Sequence, residues 1–569
     1  FVFDDTERTW QTKHTASIDL GKHRLRGGID ILSADFALQG GGNPDGNYTV
    51  TLSDAELAQL RARNTGIGLT AADVLELNPL VGNYAVELRP NEFGKRQTLS
   101  AIFIEDEWRL RPDLTLTAGL RYDYDSLTEL GSGAGDSDNF APRFSVNWRP
   151  DERSVVRAGA GLFYDKLLYA VASDALQRNT TSAGLRSQLD DLLPAGTDID
   201  RLTFDGNLVV NPPCTDGRVA SCQSAADVQA LRATTSANEV RIISPHGYDN
   251  PRSLQLSAGY QYQFTAELSG SVDLLYNRTR NLVRLVDLNA PSSFTPNLAP
   301  LTDANIAALR AITDPAARLA QAEALGLARS QAAADATRPT LAPSGNVPVG
   351  GARQITVSDT NGRSNYRALN LQLNKERGAQ RYAYRFSYTL SQLENDTDDI
   401  NFRASNANDF AADFGPSAND REHVISAVGF FYPLPGLTLT VAGLFQSGQP
   451  INFVPDAAIF GTQDLNGDGR SFGENFVGNS DRYPGIGRNA GRLPWSKSID
   501  LGLRYDWLIS GQTLQLSADV FNVFDWNNLS GFANAATTSN QIQFGGDAPF
   551  VQRNAGPPRQ FQFGVAWQF

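Results

Sequence analysis

The sequence predicts an all-β protein, a large antiparallel transmembrane β-barrel, and three observations carry that prediction. Apolar and polar residues alternate in a series of segments about ten residues long. The connections between these segments alternate between short turns and long loops. No run of about 18 apolar residues is present, so the sequence offers no candidate transmembrane helix. A barrel of tilted strands crosses a bilayer without such a run.

The clearest alternation lies in the last eleven residues, 559–569. Five apolar side chains alternate there with small or amide-bearing residues, namely Phe561, Phe563, Val565, Trp567 and Phe569. A period of two places them on one face of a strand. About eleven residues is the length that a tilted strand needs to cross a bilayer. By itself, however, this segment fits the last strand of a soluble β-sandwich equally well.

Seven pairs of alternating segments precede this terminal strand, and a short turn joins the members of each pair. The pairs are 8–20 with 24–34, 98–110 with 114–124, 140–148 with 154–164, 252–264 with 267–279, 366–376 with 381–390, 422–432 with 437–447, and 497–507 with 513–524. Together with the terminal strand they make fifteen predicted strands. Turn-forming residues separate the partners, as in Arg111-Pro112-Asp113.

Long polar segments connect one pair to the next, and we expect them to be extracellular loops with short helices. The main loops are 37–97, 165–250, 290–350 and 450–495, and an Asp-rich loop covers 395–419. A capping box at Ser53 and Glu56 predicts one of the helices, and an Ala-rich stretch predicts another near 303–336. In a soluble sandwich, short and long connections are not expected to alternate along the chain. Outer-membrane barrels have short periplasmic turns and long outer loops, so their connections do alternate. The alternation of connection lengths therefore favours the barrel.

An odd number of strands has a consequence for closure. The first and the fifteenth strand run in the same direction, and a ring of antiparallel strands cannot close in that way. We therefore expect that residues 1–569 lack upstream strands, and that the terminal strand does not pair with the segment near Thr9. Aromatic residues near strand ends are expected at the two membrane interfaces: Trp108, Tyr122, Tyr124, Trp148, Tyr260, Tyr262, Trp507 and Trp567.

Composition disfavours a nucleic-acid partner, because 49 basic against 62 acidic residues give a net charge of −13. We do not expect an enzyme, since the four histidines are isolated and no nucleophile, metalloprotease or phosphate-binding motif occurs. The two cysteines, Cys214 and Cys222, flank an Asp-Gly turn signal. This spacing predicts one small disulfide in an oxidising compartment rather than free thiols. A metal site there is disfavoured, because no histidine is near.

One segment of the last long loop has the spacing of a Ca²⁺ loop. Asp464, Asn466 and Asp468 supply oxygen ligands at alternate positions, Gly469 allows the sharp turn, and Arg470 offers a backbone carbonyl. The position that should hold a bidentate Glu holds Asn475 instead. The alternative is an Asx-rich turn without an ion. Ca²⁺ is thus a candidate ion, and we expect no required cofactor.

An ordered set of short blocks completes the analysis. The blocks are 103–122, 139–144, 156–164, 364–369, 387–391, 420–423, 446–450 and 519–524. The set resembles the C-terminal barrel of TonB-dependent outer-membrane receptors, especially the Oar-like group with a carboxypeptidase-regulatory-like N-terminal domain. The resemblance implies a barrel of twenty-two strands, an N-terminal plug and a segment that engages TonB. Neither the plug nor that segment is present in residues 1–569, and fifteen strands fall seven short.

The resemblance implies a transporter or receptor of the bacterial outer membrane. Its extracellular loops would bind an unknown ligand for import, or export, while the TonB complex would displace the plug. Other implied partners are outer-membrane lipid and the barrel assembly machinery, which would read the aromatic end at Trp567 and Phe569. A passive pore and a surface adhesion or anchoring barrel are the alternatives. The sequence does not reveal the ligand or the residues that bind it.

Overall fold

The computed structural model describes residues 2–41, 46–63, 68–88, 93–469, 481–533, 541–543 and 551–569. Most of them belong to one large sheet, in which fifteen long strands follow one another in chain order. The strands are β1 (Val2–Leu20), β2 (His23–Gly41), β3 (Phe93–Arg111), β4 (Leu114–Asp125), β5 (Phe140–Asp151), β6 (Ser154–Tyr164), β7 (Arg252–Gln263), β8 (Leu268–Asp287), β9 (Ala352–Lys375), β10 (Tyr382–Asn395), β11 (His423–Phe431), β12 (Leu437–Gln446), β13 (Ser496–Ile509), β14 (Gln512–Phe521) and β15 (Gln560–Gln568).

Each long strand is antiparallel to the next, from β1 with β2 through β14 with β15. The predicted all-β fold and its fifteen consecutive strands are confirmed. Two short strands, Ala237–Ile242 and Gly415–Pro416, extend the sheet to seventeen. In the described ranges, β1 and β15 are not paired with each other. Strands upstream of residue 1 stay a prediction.

The register keeps one face of the sheet apolar from strand to strand. Leu516 of β14 lies opposite Tyr505 of β13 and Val565 of β15. The neighbouring row, through Gln515, is polar. We call these two sides of the sheet the apolar face and the polar face. All eight aromatic residues predicted for the interfaces lie on the apolar face: Trp108, Tyr122, Tyr124, Trp148, Tyr260, Tyr262, Trp507 and Trp567.

Several strands are longer than the sequence pattern predicts, so the loops between them are shorter. β2 continues to Gly41 and β3 already begins at Phe93, inside the segment expected to be the loop 37–97. β9 begins at Ala352 rather than near residue 366. The first residues of β9 are buried, and they pair in parallel with Ala237–Ile242. These extensions lack a clean alternation because both of their faces meet protein.

Nine helices lie in the described part of the chain: α1 (Asp54–Arg63), α2 (Ala71–Leu75), α3 (Ala170–Leu176), α4 (Ala183–Leu192), α5 (Ala225–Ala230), α6 (Asp303–Ala311), α7 (Pro315–Ala324), α8 (Gln331–Asp335) and α9 (Ala457–Phe460). The capping box is confirmed, since Ser53 and Glu56 exchange hydrogen bonds before α1. The helical stretch predicted near 303–336 is confirmed. It is divided into three helices, because Pro315 starts a new helix and Gly326 adopts a φ of 70°. None of the described helices has the length and apolarity to span a membrane.

The hydrophobic core lies among the long loops rather than inside the sheet. One cluster joins residues of three loops, and its fully buried members include Val86, Leu185, Val240 and Ile355. A second cluster packs α6, α7 and α9 together around Leu309 and Phe460. We call this body the loop cap: the described parts of 46–88, 165–251, 288–351, 396–422, 447–495 and 522–559, with the strand ends on which they pack. Its small sheets comprise Asn47–Thr51, Leu80–Leu88 and Leu208–Val210, and Pro450–Val454, Gly491–Arg492, Leu529–Ala533, Gln541–Gln543 and Val551–Ala555.

Candidate functional site: the polar face and the loop cap

The polar face carries charged and amide side chains that fix one another in place. Arg157 on β6 lies 3.5 Å from Asp273 on β8. Arg121 donates to Asp123 at 2.7 Å, and Gln11 on β1 donates to Asp30 on β2 at 3.1 Å. These pairs mix both signs of charge, so the face offers hydrogen-bond donors and acceptors to a polar solute without a strong field of one sign.

Three cavities lie along the sheet between β3 and β11. A cavity of about 860 Å³ lies at the loop end beside Glu422 and Arg492. It shares Ser257 and Leu275 with a second cavity of about 500 Å³. A third, of about 740 Å³, lies toward the turn end and is lined by Arg157, Asp273 and Arg385 among others. Space for water and small polar solutes therefore accompanies the polar face from the loops toward the turns.

Buried ion pairs tie the loops of the cap to one another. Glu239, from the loop before β7, is 5% exposed. It contacts Arg178 of the same loop and Arg403 of the Asp-rich loop. Arg338, whose side chain is fully buried, binds Asp335 and Asp287, each at 2.9 Å. Separating the partners of a buried ion pair is strongly destabilising, because it leaves an uncompensated buried charge. These contacts therefore hold the loops in one arrangement.

The Asp-rich loop 395–419 serves the same purpose through most of its carboxylates, while Asp399 and Asp409 are exposed. Three of its carboxylates, and the adjoining one at residue 420, are buried against arginines of other segments: Asp396 against Arg284, Asp398 against Arg488, Asp413 against Arg482 and Asp420 against Arg492. Burial raises the pKa of Asp396, although Arg284 and Arg363 act in the opposite direction. The loop therefore joins 447–495 to the ends of β8 and β10.

The predicted disulfide is present between Cys214 and Cys222. Both cysteines pack against the first hydrophobic cluster of the loop cap. The bond closes a small loop whose turn holds Gly217 at a φ of 71°, as the Asp-Gly turn signal predicts. It staples the segment between Leu208–Val210 and α5.

The predicted Ca²⁺ segment forms a tight turn in the structure. Both carboxylate oxygens of Asp464 accept backbone N–H bonds, from Asp468 at 3.1 Å and Gly469 at 2.8 Å. Asn466 accepts from the backbone of Asp468 at 2.8 Å. Arg470 lies outside the described residues, as does Asn475. Within the described ranges, no three His, Cys, Asp or Glu side chains are placed to hold a metal ion. Ca²⁺ binding stays a prediction.

Asp481 is the residue of this segment that sequence reasoning missed. It is buried beneath the turn and accepts N–H bonds from Leu465 and from Asn466. Burial raises its pKa well above the usual range, and the charges of Asp468 and Asp464 add to the shift. Burial also raises the pKa of Asp464. No local signal marks Asp481, because sixteen residues separate it from Leu465.

The terminal strand β15 presents its aromatic side chains outward. Phe563 is 79% exposed and Phe569 wholly exposed. The indole of Trp567 donates to Gln512 at 2.9 Å, which fixes its ring near the turn between β13 and β14. The role of Trp567 and Phe569 as an assembly signal stays a prediction.

An open apolar face, a polar face with cavities and a cap built from the long loops together define a membrane-embedded barrel wall. The chain belongs to the outer membrane β-barrel domain family, whose model matches residues 2–133 and 128–562. The protein is therefore located in the outer membrane. That the long loops lie on its outer side stays a prediction. No curated protein matches the sequence.

Solved structures share this fold at low sequence identity. The outer membrane transporter YddB from Escherichia coli matches with a TM-score of 0.52 and 12% sequence identity, and the matched region covers 100% of this chain and 55% of the YddB chain. The ferric enterobactin receptor PfeA from Pseudomonas aeruginosa matches with a TM-score of 0.51 and 13% sequence identity, and the matched region covers 99% of this chain and 54% of the PfeA chain. At such identity the similarity shows the fold alone. The chain spans a little over half the length of these relatives.

Proposed function

We propose that residues 1–569 are the barrel part of a TonB-dependent outer-membrane transporter, which binds a ligand at the loop cap and imports it. The observation that carries this proposal is the line of cavities on the polar face, which begins beneath the loop cap and continues toward the turn end. A barrel that served only as an anchor would have no need of such space. The proposal agrees with the fold that this chain shares with the outer membrane transporter YddB and the ferric enterobactin receptor PfeA.

The loop cap suits recognition because it is rigid. Its core residues are fully buried, and ion pairs such as Glu239 with Arg403 cross from one loop to another. A surface held in this way loses little conformational entropy when a ligand binds. We therefore propose that the outward surface of the cap, rather than flexible loop tips, contacts the ligand.

A plug and a TonB-engaging segment are part of the proposal, although residues 1–569 contain neither. The ordered sequence blocks support this extension. On the same basis we propose that the protein belongs to the Oar-like group and has a carboxypeptidase-regulatory-like N-terminal domain. The partners in this scheme are the TonB complex, outer-membrane lipid and the barrel assembly machinery. A passive pore is the second candidate, because the same cavities would conduct small solutes if nothing filled the barrel.

The two candidates differ in their need for energy. We would express the full-length gene in a strain that lacks it and measure uptake of a panel of labelled iron chelates, vitamins, oligosaccharides and peptides. A TonB-dependent transporter takes up one class with saturation, and a proton uncoupler or loss of TonB abolishes that uptake. Uptake that is unselective, unsaturable and indifferent to the uncoupler would establish the pore instead.

A further inference from the structure

Five arginines lie together on the apolar face, at the loop ends of β7, β8 and β9. They are Arg252, Arg278, Arg280, Arg363 and Arg367. The register places them in adjoining rows. Arg280 lies directly opposite both Arg252 and Arg363. Two residues further from the loops, Arg278 lies opposite Leu254 and Asn365, and the next row holds Tyr276 and Arg367.

The basic rows end where the apolar surface begins. In the row that follows them, Leu274 lies opposite Ala258 and Leu369. Adjacent strands are about 4.8 Å apart and successive rows about 7 Å apart, so the five arginines occupy a patch about 10 Å wide and 14 Å high. This patch lies at the outer edge of the hydrocarbon layer, at the level of the outer-leaflet headgroups.

Three of these arginines have no anionic partner within the described chain. The side chains of Arg278, Arg280 and Arg367 are exposed, and none of them forms an ion pair or a side-chain hydrogen bond there. Arg363 reaches the buried Asp396 at 3.4 Å, and Arg252 hydrogen-bonds Tyr164. In the adjoining strand, Glu394 is the carboxylate nearest by register, opposite Asn365.

Some other charges on the apolar face are paired within the chain. Arg96 on β3 donates to Asp35 on β2 at 2.7 Å, and His23 lies 2.8 Å from Asp106. The patch on β7–β9 differs, because like charges directly opposite one another on a sheet repel. A row of three arginines therefore favours an anion that bridges them.

We propose that this patch binds the phosphate groups of a phosphorylated glycolipid in the outer leaflet, with its acyl chains along Leu254, Leu274 and Leu369. Guanidinium groups bind phosphate through paired hydrogen bonds. The lipid source follows from position, since a soluble anion gains nothing from the adjoining apolar rows. The inference requires the outer-membrane location with the long loops on the outer side, and it is independent of the proposed transport function.

The test uses the full-length protein that contains residues 1–569, purified in detergent and stripped of lipid, with lipid A as the probe. Native mass spectrometry would compare bisphosphorylated with dephosphorylated lipid A. Each arginine near an anionic membrane surface contributes about fivefold in affinity. The variant Arg278→Gln/Arg280→Gln/Arg367→Gln is therefore expected to lose about a hundredfold in affinity for the bisphosphorylated form. The matched control, Arg61→Gln/Arg149→Gln/Arg153→Gln, removes three exposed arginines elsewhere and is expected to bind as the parent protein does.

Folding of each variant is checked by the shift in gel mobility between unheated and boiled samples. If the triple variant does not fold, the salt dependence of binding to the parent protein decides, because an electrostatic site weakens as salt rises. Three results would overturn the proposal: equal affinity for both forms of lipid A, equal loss in the control variant, or displacement of the lipid by millimolar inorganic phosphate. The last would identify a soluble-phosphate site.

Discussion

The apolar face and the loop cap place their hydrophobic residues in opposite environments. On the apolar face, side chains such as Phe563 and Leu503 are open to the surroundings of the sheet, and the bilayer solvates them. In the loop cap, Leu185 and Val240 are fully buried, because these loops stand in water and must make a core of their own. The apolar face of the chain is therefore surrounded by lipid and the loop cap by water. The effect of a mutation on stability depends on which of these two environments surrounds the residue.

The largest expected effect is the loss of a buried cation in the loop cap. Arg488 is buried, pairs with Asp398 and also donates to Asn395 at 2.8 Å. The variant Arg488→Met leaves that carboxylate uncompensated and is expected to destabilise the cap by about 3–5 kcal/mol. Native-state proteolysis of the purified protein measures the change. The exposed pair of Arg96 with Asp35 is the control, for which Arg96→Met should have little effect on stability because solvent screens the pair.

A truncation in the two hydrophobic environments tests the comparison directly. Leu185→Ala opens a cavity in the loop cap and is expected to cost about 2–5 kcal/mol. Leu503→Ala removes the same atoms from a side chain that is 43% exposed on the apolar face, and lipid fills the space, so we expect less than about 1.5 kcal/mol. Hydrogen exchange of the cap amides reports the first variant, and exchange of the β13 amides reports the second. Equal losses would show that the cap does not behave as a core.

The disulfide gives an intermediate effect confined to the loop cap. Replacing both Cys214 and Cys222 by Ser removes a short covalent loop, which is expected to lower cap stability by about 2–3 kcal/mol. The barrel strands should be unaffected, because the bond joins residues of a single loop. Protease sensitivity with and without reductant checks this in the parent protein. A matching loss of barrel gel-shift behaviour would contradict the separation of cap and sheet.

The smallest effect concerns the buried carboxylates below the predicted Ca²⁺ turn. Because the folded-state pKa of Asp481 is raised, its contribution to stability is full below its unfolded pKa and is lost as pH rises through the folded value. Asp481→Asn is therefore expected to flatten the pH dependence of cap stability and to raise stability at neutral pH, on the order of 1 kcal/mol. Thermal unfolding from acid to neutral pH measures it.

Calcium would reverse that expectation. If Asp464 and its neighbours bind Ca²⁺, the ion stabilises the charged form, and the parent protein gains stability at neutral pH when Ca²⁺ is added. Asp464→Asn would then lose that gain. Unfolding curves that are identical with Ca²⁺ and with chelator would remove the calcium prediction and leave the Asx-rich turn.

The sequence predicts the sheet well because the bilayer imposes a local pattern. Period-two alternation identifies all fifteen strands, and the Asp-Gly turn between the cysteines signals the disulfide. The contacts of the loop cap could not be predicted from the sequence, because they join residues far apart in the chain. Arg403 meets Glu239 across 164 positions, and nothing local at either residue indicates its partner. The same reason explains why Asp481 and the arginine partners of the Asp-rich loop were missed.

Element boundaries were harder to predict than the elements themselves. The Ala-rich stretch near 303–336 is helical as predicted, but Pro315 begins a new helix after a break. The predicted start of β9 is too late, because Ile355 and Val357 lie in its buried first residues without the alternation that marks the membrane-facing rows. A local residue therefore set the helix boundary, and tertiary packing set the strand boundary.

The shared core of the loop cap restricts how such a surface can diversify. Val86 and Leu185 come from two separate loops, Ile355 comes from the start of β9, and the three pack in one cluster. Grafting a single loop from a relative would therefore leave a hole or a clash in the rest of the cluster. Inherited variation in this region would have to be exchanged as a block, and an engineer who wishes to transplant its binding surface should move the loops together.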